Sequence, residues 1–153
     1  MDKNNSNKHP VRDFLVGRRR NPYGSETELA VLEIGRIFVP TTRPAAFVLG
    51  KPQDCFVNAG DMAISDPKFG TYVEGFAASA DQPPFHHAWL TLDGETAIDV
   101  TLRDTTGYFF FGIEFPTEFV LKWVCRRRFW GLLRPFDAAH IEDFKASYPT
   151  RPR

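Results

Sequence analysis

Alternation between apolar and polar positions is strongest from residue 71 to residue 115. TYVEGFAAS at 71–79, HHAWLTL at 86–92, ETAIDVTL at 95–102 and YFFFGIEF at 108–115 are rich in β-branched and aromatic residues. Turn-forming residues separate them, so the pattern predicts four strands. CFVNAGDMAI at 55–64 has another period: Phe56, Ala59 and Ala63 recur at helical spacing, as do Cys55, Asn58 and Met62. This predicts a helix of about three turns, weakened by Gly60, with Asp54 suited to its N-cap and DPKFG at 66–70 as its stop. A second helix is expected over 116–130, opened by Pro116, and a short last one over 137–147. Upstream, LAVLEIGRIFV at 29–39 reads as a strand, with a short helix as the alternative. AAFVLG at 45–50 is a short apolar run. GRRRNPYGS at 17–25 is a turn-rich connector, and MDKNNSNKHPV at 1–11 a polar, disordered lead. A helix, then a run of antiparallel strands, then helices predicts an α+β fold. One domain is expected over 25–150, behind a loosely ordered basic lead over 1–24.

Composition narrows the function classes. The chain has 153 residues, 42% of them hydrophobic, with 15 Phe. That is enough to bury a core without disulfide or metal staples. No apolar stretch approaches the roughly 20 residues of a membrane-spanning helix, so no membrane partner is expected. Nineteen basic and nineteen acidic residues cancel, but they are not evenly spread. Residues 1–20 carry a net +4, residues 122–134 a net +5, and residues 54–118 a net −9. Arg18, Arg19, Arg20, Arg126, Arg127 and Arg128 are thus the candidate contacts for a nucleic acid. Solvated faces are the simpler explanation, so nucleic acid is not the expected partner. Two cysteines make no disulfide framework, and no export leader is visible. A reducing, cytoplasmic setting is expected.

The chemistry concentrates between 55 and 101. Cys55 opens a helix, where unpaired N–H groups and the helix dipole favour a thiolate. His86-His87-Ala88-Trp89 follows on a strand, and Asp99 lies twelve residues after His87. An imidazole beside a thiol holds it as a thiolate–imidazolium pair, and a carboxylate on the far ring nitrogen fixes the tautomer. Two turns fit the intervening sequence. A two-residue Asp93-Gly94 loop places residue 87 opposite residue 100. A three-residue Leu92-Asp93-Gly94 loop, with Gly94 left-handed, places 87 opposite 99. The second gathers His86, Ala88, Leu90, Ile98, Val100 and Leu102 on one apolar face. His87, Trp89, Thr91, Asp99 and Thr101 then share the other. That segregation favours the second turn and makes His87 the base, with Cys55 as nucleophile and Asp99 as orienter.

His87-Ala88-Trp89, a short turn and Ile98-Asp99-Val100-Thr101 resemble the HAW…DPT signature of the transglutaminase-like branch of the papain-like cysteine superfamily. The longer run CFVNA…YVEGFA…HHAW…IDVT also resembles uncharacterised small proteins of phage and bacterial genomes. The resemblance covers about 60 residues, with Val100 at the family's usual proline and Phe56 at its usual tryptophan after the cysteine. It implies a helix bearing the cysteine packed on an antiparallel sheet. It also implies thiol-dependent acyl transfer on an amide or ester, by a peptidase, deamidase or transglutaminase, with a peptide or protein as substrate. The alternative is a non-catalytic interaction protein on the same scaffold, a phage- or plasmid-type modulator of a host protein or nucleic acid.

Gln53, Asn58, Glu74 and Trp89 are the further candidates for substrate or oxyanion contacts. Each has a plainer expectation: a loop residue for Gln53, a helix surface for Asn58, an exposed edge for Glu74 and core for Trp89. Cys125 reads as packing within its helix. Cys55, His86, His87 and Cys125 lack the paired, short-spaced ligands of a zinc site. With no phosphate-cradling glycine loop or dinucleotide fingerprint either, neither metal nor cofactor is expected.

Overall fold

The computed structural model describes residues 8–21, 25–127, 131–133, 145, 146 and 148. The chain folds as α+β. Helices α1 (Pro10–Arg18) and α2 (Glu26–Ile34) precede strand β1 (Arg36–Pro40), and helix α3 spans Cys55–Ser65. A 3-10 turn at Pro67–Phe69 leads to β2 (Thr71–Ser79), β3 (Gln82–Thr91), β4 (Thr96–Ala97), β5 (Phe109–Phe115) and α4 (Thr117–Arg127). The sheet order is β3-β2-β5-β1-β4, with every pairing antiparallel except β1 with β4. Beyond β4, Ile98 bridges back to Leu90 of β3, so the sheet curls on itself.

Strand alternation then fills two cores. Tyr72, Phe76, Ala88, Leu90, Phe111, Ile113 and Phe115 face the helices. Phe38, Val73, Ala77, Trp89, Ala97 and Phe110, from all five strands, fill the inside of the curl. α3 lies on the helix-bearing face through Ala59, Gly60 and Ala63, whose small side chains allow close approach.

Several segments differ from the sequence expectation. Residues 10–18, assigned to a loose lead and connector, form a helix. His9 caps it through Nδ1, Pro10 starts it, and Val11 and Leu15, one turn apart, enter the main core. The polar composition around them hides that spacing. The 29–39 segment is divided: Ser25 and Glu28 form a capping box that starts α2, and the strand begins only after Gly35. The expected 95–102 strand is reduced to Thr96–Ala97 and the Ile98 bridge. Asp93 Oδ1 takes the N–H groups of Glu95 and Thr96, at 2.8 and 2.7 Å, and holds a wider loop than either expected turn. The short β4 pairs with β1 instead of β3. Of the helix expected over 137–147 only residues 145 and 146 are described, and both are helical; the tract Arg128–Trp130 lies outside the described residues.

Candidate active site

Strand β3 sends successive side chains to opposite faces. His86 enters the helix-bearing side and His87 the inside of the curl. Leu90 lies opposite Ile98 through a reciprocal pair of backbone hydrogen bonds, at 2.9 and 2.8 Å. This register is displaced by two residues from the expected pairing of 87 with 99. An even displacement preserves faces, so Asp99 still emerges on the side of His87. His87 Nε2 lies 2.6 Å from Asp99 Oδ2. The other carboxylate oxygen accepts the N–H groups of Thr101 and Leu102, both at 2.8 Å. The Asp99 carboxylate is thus held by its own turn, and its side chain is closed to solvent.

Asp99 occupies Nε2, which leaves Nδ1 as the nitrogen available to a thiol. Cys55, the first residue of α3, interacts with the ring. That contact does not have the alignment of a closed hydrogen bond; only the His87–Asp99 half does. Contacts of this kind are commonly loose in a free site and tighten with substrate. Burial alone pulls the His87 imidazolium down. The hydrogen bonds and charges of Asp99 and Cys55 outweigh it and raise the ring to about 9. Phe85, Trp89 and Phe110 enclose the imidazole. His87 keeps 2% of its surface exposed and Cys55 7%, so the sulfur is the more open of the two.

The start of α3 is tied to the Asp99 segment. Gly50 N–H donates to Val100 O at 2.7 Å, and Asn58 Nδ2 donates to Thr101 Oγ1 at 2.9 Å. Asn58 also clamps Lys51, accepting from its N–H at 3.1 Å and donating to its carbonyl at 2.8 Å. A Cβ on Gly50 would lie 2.1 Å from the Asn58 side chain. Asn58, considered above as a lining residue or a helix surface, is half-buried and binds Lys51 of the 50–54 loop. Gln53 is exposed and left-handed, at φ 64°. Asp54 sits at the N-cap but makes no side-chain cap bond, contrary to its expected suitability. Asp54 therefore leaves the first-turn N–H groups around Cys55 without a side-chain cap of its own.

Glu74 is corrected in position. The exposed edge expected for it is a fully buried site, because β2 lies between β3 and β5. Its carboxylate accepts from the Tyr72 hydroxyl at 2.8 Å and from the Leu132 and Leu133 N–H groups at 2.6 and 2.9 Å. His86 Nε2 approaches to 2.9 Å, an ion-pair distance without hydrogen-bond alignment. Burial alone would raise the Glu74 carboxyl, but His86, Leu133 and Tyr72 reverse that and hold it below the usual carboxylate range. Trp89 is wholly buried inside the curl. Cys125, expected as packing, is exposed on α4. Among the described arginines of the six, Arg18 pairs with Glu28 at 3.0 Å, and Arg126 lies over the Trp123 ring. Arg19 and Arg20 are exposed, whereas Arg128 and the Arg127 side chain lie outside the described residues.

Tyr72, Gly50 and Thr101, which build this neighbourhood, carry no local sequence signal; only the tertiary register makes them partners. Set against protein-family models, curated proteins and solved structures, the chain matches none. Among the described residues, no helix is long and apolar enough to cross a membrane, and no three His, Cys, Asp or Glu side chains are grouped to hold a metal ion.

Proposed function

We propose that the protein is a cysteine-dependent amide or ester hydrolase or acyltransferase on a papain-like, transglutaminase-type core. The observation that supports this most strongly is the His87 imidazole, set between the Asp99 carboxylate at 2.6 Å and the Cys55 thiol, with its acidity shifted to about 9. A ring that remains protonated at neutral pH favours a thiolate beside it. In this reading Cys55 attacks a carbonyl carbon, forming an S–C bond and a tetrahedral oxyanion. The uncapped N–H groups at the start of α3 are the donors nearest to that charge. His87 then gives its proton to the leaving nitrogen or oxygen as its bond to carbon breaks, leaving a thioester on Cys55. Water or an amine, deprotonated by His87, resolves the thioester. Asp99 keeps the ring oriented throughout and is not itself protonated.

Intact-mass analysis after incubation with p-nitrophenyl esters and glutamine-containing peptides tests this proposal. An acyl adduct on Cys55, followed by turnover, is the expected result, and Cys55→Ala should abolish both. No adduct across the panel would leave the interaction-protein alternative in its place.

A further inference from the structure

A second feature adjoins Asp99 and does not include the thiol. The chain leaving β1 and the turn at 102–106 enclose a cavity of about 290 Å³. Its wall includes Thr41, Arg43, Arg103, Asp104, Thr105 and Asp99, but neither Cys55 nor His87. Arg43 is half-buried and Arg103 exposed, and neither makes an ion pair or hydrogen bond among the described residues. The acids do not neutralise them. Asp99 turns its carboxylate inward to His87, and Asp104 Oδ1 accepts the Thr106 N–H at 2.8 Å. Two guanidiniums against one solvent-facing carboxylate leave the cavity positive. Guanidinium forks fit planar or tetrahedral oxyanions, and threonine hydroxyls add neutral donors.

We propose that this cavity binds a small oxyanion, a carboxylate or phosphoryl group, gripped by Arg43 and Arg103. The proposal goes beyond the acyl chemistry above and does not depend on it. Its ligand contacts the outer side of the turn whose inner side orients His87.

Calorimetric titration of the full chain with inorganic phosphate, and separately with succinate, tests it against sodium chloride at matched ionic strength. Saturable binding of at least one oxyanion is expected, and the tighter of the two identifies the source of the group. The paired substitution Arg43→Gln with Arg103→Gln should weaken binding at least tenfold. The Cys55→Ala protein should bind as the wild type does, so failure of the acyl reading leaves this result intact. Amide shifts confined to 41–43 and 102–106 would locate the ligand. Absence of saturable binding by the wild type, unchanged binding by the double variant, or shifts elsewhere would each overturn the proposal.

Discussion

His87 shows how one residue is tuned by opposing effects. Enclosure by aromatic rings works against its charge, and the interactions with Asp99 and Cys55 restore it. NMR titration of the imidazole should therefore give a midpoint near 9 in the wild type. In Asp99→Asn the midpoint should fall, because the carboxylate that does most to stabilise the charged ring is gone. The same variant should lower any Cys55-dependent turnover by as much as about 10⁴-fold, the loss seen when a triad carboxylate becomes an amide. Gln53 invites a different test. A non-glycine residue at φ 64° carries strain that glycine would not, so Gln53→Gly should raise stability by roughly 0.5–1 kcal/mol in urea unfolding. An unchanged kcat in that variant would show that the side chain makes no oxyanion contact. Much of this was legible in the sequence at the level of faces. Period-two alternation put His87 with Asp99 even though the register was displaced. Glu74 was not legible, because nothing in YVEGF tells that its strand has neighbours on both sides.

At the scale of elements, Cys55 and Asp99 belong to segments far apart in sequence that hold each other. Asn58 makes the joint, with three hydrogen bonds to Lys51 and Thr101. Asn58→Ala should cost about 0.5–1.5 kcal/mol, the usual net worth of half-exposed hydrogen bonds. It should also slow Cys55 alkylation, an effect that loss of stability alone would not produce in the fully folded protein. Gly75 marks a close approach of β2 and β5: a Cβ there would lie 2.3 Å from the Phe111 carbonyl oxygen. Gly75→Ala must push β5 away from β2, and a loss above about 3 kcal/mol is expected in urea titration. Helix α3, β2 and β5 were visible from periodicity because each is long and carries one pattern. β4 was not, because two residues have no period, and its partner is chosen by the Asp93 turn rather than by local propensity. α1 was missed for another reason: two core residues are scattered among charges.

For the whole molecule, buried Glu74 and buried His87 shape stability from opposite ends of the pH scale. Glu74 has a lowered folded-state pKa, so its contribution is present above its ordinary value of 4.5 and is lost as pH falls through the lower folded value. His87 has a raised one, so its contribution is complete below 6.5 and is lost as pH rises through about 9. The urea midpoint should therefore be highest between these limits and decline on both sides, and His87→Gln should flatten the decline between pH 7 and 10. The central claim, that Cys55 and His87 form a reactive pair, is tested most directly by iodoacetamide labelling at pH 6, read by peptide mass for each cysteine. Exposed Cys125 is the internal control. An ordinary thiol with a pKa of about 8.5 is only ~0.3% ionised at that pH. The account predicts that Cys55 labels far faster than Cys125 despite its burial, and that His87→Ala slows it by on the order of 100-fold, with Cys125 unchanged. Equal, slow labelling of both cysteines, indifferent to His87→Ala, would contradict it.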